Sequence, residues 1–213
     1  MHWPRRRCRS PKTQRCSVSE IADIVRCLRA GGVALLPTDT VYGLAASPER
    51  EDGVARIFAL KRRPRTVNLP VMVAARDQLA ALGAVVTDDA AKLLSSPYMP
   101  GPLTIAFRVD PACAPQWLAT RAEVAVRMPA HPLMLGVLNA AGPLLVTSAN
   151  AHGATTPESL ADALAQLDGA PDIAVDGGVL SSTPSTLVNC AVSPAAVERV
   201  GAVPAAVIEA LLK

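Results

Sequence analysis

The chain has 213 residues, half of them apolar and only 3% aromatic, with a formal net charge of +3. That length supports one full core or at most two small domains, and the apolar share excludes a disordered chain. The near-balanced charge excludes a polycation, and no apolar run reaches the ~18–20 residues of a membrane span, so no membrane association is expected.

Basic residues crowd the start of the chain: Arg5, Arg6, Arg7, Arg9, Lys12 and Arg15. No apolar stretch of a signal peptide accompanies them. Residues 1–17 are expected to form a basic flexible tail, with an organellar transit peptide as the alternative, ahead of one domain over 18–213. Ser19 reads as the cap of a helix carrying Ile21, Ile24, Val25 and Leu28 at helical spacing, stopped by Gly31 and Gly32. The apolar run 33–36 reads as a buried strand ended by Pro37. Helices are expected over 51–60, 76–82, 132–139 and 204–212, and behind a Thr87 cap through Leu94. Pro157 sits where a helix through Leu167 would start. Strands are expected over 69–73, 103–109, 124–127, 144–147, 172–175, 185–189 and 196–200. The intermixed pattern predicts a single α/β (α+β-like) domain: a twisted mixed sheet with flanking helices, since several strands lack a helix of crossover length between them.

Five cysteines, Cys8, Cys16, Cys27, Cys113 and Cys190, include no C-x-x-C pair. The odd number argues against a disulfide framework, and a reducing, cytoplasmic setting is expected. Cys113 and Cys190 read as buried small hydrophobes. His2, His131 and His152 have no metal-ligand spacing, so no metal site built from side chains is expected. Walker A and G-x-G-x-x-G loops are absent.

Three polar segments follow buried elements. The first, Pro37 to Leu44, follows a strand, where α/β sheets bind ligands; Thr38, Asp39 and Thr40 read either as ligand contacts or as a turn that satisfies its own backbone. The second is Lys61-Arg62-Arg63-Pro64-Arg65 at a helix end. It reads as a solvated cap favoured by the helix dipole, a phosphate clamp or a nucleic-acid patch. In the third, Val146 to Gly153, Ser148 and Asn150 can face one side of an extended backbone, either to bind a ligand or to make a turn.

Taken in order, these segments resemble a known family. Pro37 to Leu44 is followed by Ile57 to Pro64, Pro100-Gly101-Pro102-Leu103-Thr104, Val126 to Pro132, Thr147-Ser148-Ala149-Asn150 and Pro184 to Val188. The ordered set is similar to the YrdC-like threonylcarbamoyl-AMP synthases, from about residue 18 to about 205. The resemblance implies a YrdC-like fold and a nucleotidyltransferase that makes threonylcarbamoyl-AMP and pyrophosphate from L-threonine, bicarbonate and ATP. It implies Mg²⁺ carried mainly by the nucleotide, and a partner enzyme that moves the threonylcarbamoyl group onto tRNA. The family's K-x-R pair falls on Lys61 and Arg63, implied as catalytic and ATP-binding. Its S-x-N pair falls on Ser148 and Asn150, and a further ATP-binding arginine on Arg199. The threonine positions fall on Thr40, Arg127 and Ser185. Two departures stand out: Val67-Asn68-Leu69 replaces an Asn-Pro-Leu, and Met72 stands where a histidine is often found. The short form without an extra C-terminal domain is the closer likeness. The alternatives are a double-stranded RNA or tRNA-binding module, against which the scarcity of stacking aromatics argues, and carbamoyl-adenylate chemistry on a different acceptor.

Overall fold

The structure, a computed structural model, describes residues 18–213. The basic segment 1–17, read from the sequence as a tail, lies outside the described residues, as do Cys8 and Cys16. Helix α1 (Val18–Arg29) already includes Val18, so Ser19 lies inside it instead of capping it. The chain continues through β1 (Ala34–Leu36), β2 (Gly43–Ala46), α2 (Glu51–Lys61), β3 (Val71–Met72), α3 (Gln78–Ala81) and β4 (Ala84–Val85). Then come α4 (Asp88–Leu94), β5 (Leu103–Val109), β6 (Glu123–Arg127), α5 (Pro132–Ala141) and β7 (Leu144–Ser148). The last elements are α6 (Leu160–Gln166), β8 (Ile173–Ala174), β9 (Thr186–Asn189), β10 (Ala196–Arg199) and α7 (Ala205–Leu212).

The strands form one mixed sheet in the order β10-β9-β5-β6-β3-β7-β2-β1-β8, with β4 beside β5. Three parallel pairs (β1–β8, β3–β6, β5–β9) are interspersed among antiparallel ones, as the missing crossover helices predict. Strand β2 was not foreseen. It begins inside the first polar segment and returns along β1, with Ala34 opposite Ala45 and Leu36 opposite Gly43. The expected helix start at Pro157 is also displaced. The helix begins at Leu160 because the Ser159 hydroxyl accepts from the Asp162 N–H at 3.1 Å, satisfying an orphan donor that a proline ring cannot reach.

Side chains alternate across the sheet and divide the core in two. Val33, Leu35, Leu44, Val71, Ile105, Phe107 and Leu145 pack on one face with Ile57 of α2, Leu93 of α4 and Ile208 of α7. Ala34, Leu36, Ala45, Met72, Leu144 and Val146 pack on the other face with α1 and α5. Residues of β5, β6 and β9 are absent from this second cluster. On that face, Met72 is in register with Arg127 of β6. Ile105 pairs with Val126, which puts Thr104 of β5 opposite Arg127. Helices therefore cover the β1, β2, β3 and β7 part of this face, and polar side chains take over where their cover ends.

Cys190 is buried, and burial pushes its thiol up to about 11. Cys113, expected inside, is exposed in the turn after β5, where its Sγ lies 3.7 Å from Asp110 Oδ2. Among the described residues no helix is long and apolar enough to cross a membrane.

Candidate active site

Two polar groups adjoin this face of the sheet. The first forms where α2 ends. Arg62 caps that helix in the left-handed region (φ 51°), which turns the chain away just after Lys61. Arg62 itself reaches Asp168 at 3.0 Å in an exposed pair. Lys61, by contrast, is 1% exposed, so the solvated-cap reading fails for it. Its Nζ donates to the carbonyl of Ser148 and, at 2.6 Å, to that of Asn150. Burial, with the nearby Arg63 charge adding to it, pulls its ammonium down to about 8. Arg63 is half-buried and donates to the Val67 and Asn68 carbonyls at 3.3 and 3.0 Å. Thus the segment that departs from the Asn-Pro-Leu pattern is what fixes Arg63.

Ser148 ends β7 opposite Gly43 of β2 and two residues beyond Val146, hence on the α1/α5 face. Its hydroxyl donates to Asn150 Oδ1 at 2.5 Å. Asn150 Nδ2 donates to the Ala151 and Ala154 carbonyls, closing the turn that carries it. Both expected partners thus face one another, and Lys61 grips the backbone beneath them.

The second group centres on Arg127, which is 4% exposed. Its Nε donates to the Gly101 carbonyl at 3.0 Å and its Nη1 to Thr40 Oγ1 at 2.7 Å. Gly101 has φ +153°, and a Cβ there would lie 2.9 Å from the Tyr98 carbonyl; this accounts for the glycine between two prolines. The remaining nitrogen, Nη2, lies 2.8 Å from Asp39 Oδ1. The two charges are in contact. Both Asp39 oxygens, Arg127 Nη2 and His131 Nδ1 are buried with no hydrogen-bond partner. Burial lowers the Arg127 pKa, with Asp39 opposing, and lowers that of His131 for the same reason.

Ser185, just before β9, shares a 2.7 Å hydrogen bond with Thr104. Arg199 donates to the Ser185 carbonyl from Nη2 at 2.9 Å and from Nε at 3.2 Å, and to its hydroxyl at 3.3 Å. Arg199 is close enough to Arg127 to disfavour its charge. The structure thus sets Arg199 beside Thr40, Arg127 and Ser185, and not against Lys61.

The loop between β1 and β2 joins the two groups. Thr38 makes the self-satisfied turn: its Oγ1 accepts from the Val41 N–H and donates to the Val41 carbonyl. Thr40, two residues on, accepts from Arg127 Nη1. Tyr42 then accepts from Ala149 N–H through its carbonyl, while its phenol donates to the Gly178 carbonyl and accepts from Gly177 N–H. Asp39 was read with Thr38 and Thr40 as a ligand contact or a turn residue but given no role of its own, and Tyr42 was not singled out. Their one signal was their place in the segment 37–44.

Among the described residues, three surface clefts stand out, and none lies over these groups. One of about 470 Å³, lined by Thr155, Thr156 and Gln166, follows the Asn150 turn. Two of about 530 and 290 Å³ share Pro48, Glu49 and Trp117. None is lined by Lys61, Thr40, Arg127 or Ser185. Among the described residues no three His, Cys, Asp or Glu side chains are placed to hold a metal ion.

Residues 26–201 match the model of the Sua5–YciO–YrdC family, described as "Telomere recombination". The chain is 35% identical over 196 residues to a threonylcarbamoyl-AMP synthase of Bacillus subtilis (strain 168), covering 91% of this chain and 56% of that protein. It is 37% identical over 137 residues to a threonylcarbamoyl-AMP synthase of Halorhodospira halophila, covering 63% of this chain and 71% of that one. The crystal structure of P. abyssi Sua5 complexed with L-threonine is similar with a TM-score of 0.84 and 30% identity, over 93% of this chain and 58% of the other. The chain therefore spans little more than half of the Bacillus and P. abyssi proteins. E. coli YciO is similar with a TM-score of 0.77 and 26% identity, over 86% and 90% of the two chains.

Proposed function

The chain belongs to the Sua5–YciO–YrdC family, and from that premise we propose that it is an L-threonylcarbamoyladenylate synthase. It takes ATP, L-threonine and bicarbonate to threonylcarbamoyl-AMP and pyrophosphate, and hands the threonylcarbamoyl group to a tRNA-modifying partner enzyme. One observation carries this reading: cationic side chains and small hydroxyl and amide groups converge at one sheet face in a chain similar to a threonine-bound relative.

The residues divide the work. Lys61 and Arg63, with Ser148 and Asn150, take the triphosphate; Thr40, Arg127 and Ser185 take the amino acid. A threonine carbamate is a dianion and ATP carries about four negative charges, so bringing a carbamate oxygen to the α-phosphorus sets like charges together. A P–O bond then forms in line with the one that breaks, and pyrophosphate leaves with its electrons. Such a step needs positioning and charge neutralisation more than a strong base. Four cations serve it, but Asp39 cancels the charge of Arg127, leaving a net three. Arg199, lying between Ser185 and Arg127, can serve both substrates where they meet. Among the described residues there is no carboxylate cage, and Mg²⁺ is proposed to arrive on the nucleotide, held by phosphates and water.

The test is pyrophosphate release from ATP. Release that requires both L-threonine and bicarbonate is expected; release indifferent to threonine contradicts the assignment.

A further inference from the structure

We propose that Tyr42 is a positioning residue that couples the two substrates, so that a bound nucleotide tightens the grip on the amino acid and the reverse. The inference rests on the substrate reading above and adds to it the residue through which the two ends of the site act on each other.

Tyr42 is fully buried and stands two residues beyond Thr40, the residue that accepts from Arg127. Its carbonyl accepts from the Ala149 N–H at 2.8 Å, between Ser148 and Asn150. Its phenol, at the far end of the side chain, holds a different stretch of backbone. It accepts from the Gly177 N–H at 3.0 Å and donates to the Gly178 carbonyl at 2.7 Å. One residue is thus bonded to the turn that carries Ser148 and Asn150 and to the segment that leads to Ser185.

That segment, residues 176–184, has no regular secondary structure and reaches both ends of the site. It starts against the loop between β1 and β2: a Cβ on Gly177 would fall 2.4 Å from Pro37 Cβ. Midway, the Leu180 N–H donates to the Glu158 carbonyl at 2.8 Å. Ser182 lines the cleft of about 470 Å³ together with Thr155 and Gln166. Gln166 in turn accepts from the Ala151 N–H, next to Asn150, at 3.2 Å. The segment ends at Ser185, on Thr104 and Arg199. Val179 is 80% exposed, and Gly178 sits at φ +77°, a conformation open mainly to glycine. An irregular, exposed stretch of this kind is low in local stability.

The coupling follows from that low stability. Ordering a loose segment costs conformational entropy, and two ligands that need the same segment ordered share the cost. Whichever binds first bears it, so the second binds more tightly. The Tyr42 phenol makes the segment common to both. Tyr42→Phe keeps the buried ring and the backbone bond to Ala149 but releases Gly177 and Gly178, which separates the two ends.

Calorimetry on the full chain, without bicarbonate and with α,β-methylene-ATP as a nucleotide that cannot be cleaved at the α-phosphorus, tests this. The wild type should bind L-threonine at least about fivefold more tightly with the analogue present, and the analogue more tightly with threonine by the same factor. In Tyr42→Phe both ratios should fall to about one. If Tyr42 only braces the fold, the variant weakens both ligands and lowers the melting temperature while the ratio survives; that result overturns the proposal. Amide exchange in the wild type gives a second readout that needs no variant. Threonine alone should slow exchange at Ala149, and the analogue alone at Gly177, by about fivefold or more. Independent binding in the wild type, or slowing confined to the end each ligand occupies, overturns the proposal too. A wild type that binds the analogue but never threonine contradicts the threonine reading itself, a failure seen before any coupling is measured.

Discussion

Lys61 shows how a single residue is buried by where its helix stops. A lysine at a helix C-terminus would ordinarily extend into water; here the left-handed turn at Arg62 leaves it inside, on two carbonyls. Lys61→Met should therefore cost turnover at least about a hundredfold, the scale of a lost transition-state donor. The melting temperature should stay level or rise, because an apolar side chain replaces a buried charge. The pH dependence has a definite sign. The folded pKa of about 8 lies below the ordinary 10.5, so between those values the unfolded chain binds the extra proton. The contribution of Lys61 to stability then rises with pH from about 8 to about 10.5. Activity moves the other way: with a charged Lys61 required, the rate should fall on the alkaline side with a midpoint near pH 8. A rate that stays level through pH 9.5 would remove Lys61 from the charge-neutralising set.

Elements were most legible where a cap or a period spoke alone. Thr87 was read as a cap, and its Oγ1 does accept from the Ala90 N–H at 3.3 Å at the start of α4. Thr87→Ala should cost about 1 kcal/mol and lower the melting temperature by about 2–4 °C, with turnover unchanged. Strand β5 was expected over 103–109 and spans Leu103–Val109. Strand β2 escaped notice because Gly43-Leu44-Ala45-Ala46 is short, small and continuous with a polar segment; only pairing with β1 and β7 makes it a strand. Pairing of this kind is non-local, and no window of sequence reports it. The same is true of Tyr42, which ties the turn after β7 and the segment before β9 to one loop. Cys113 went wrong for a related reason: an apolar-looking residue in a Pro-rich turn carries no period to say which way it faces.

At the scale of the whole molecule, the fold class was legible because strands without crossover helices admit few sheets other than a mixed one. The half-covered face was not. It needs the register of β3, β5 and β6, which sets Met72 under α1 and α5 and leaves Thr104 and Arg127 beyond them. Met72 lies in the core cluster, so the position where a histidine is often found here serves packing. The candidate site residues were legible only as an ordered pattern; singly, each had a structural reading as good as its functional one. Their grouping came from three dimensions, above all the approach of Arg199 to Ser185 and of Asp39 to Arg127. That grouping is useful only if an acylated amino acid and a nucleotide meet there. The direct test is to incubate the purified chain with ATP, L-threonine and ¹³C-bicarbonate and weigh the nucleotide products. The account predicts an adenylate heavier than AMP by a threonine carbamate whose carbonyl carbon bears the label; AMP or ADP alone, or an adduct without the label, would contradict it.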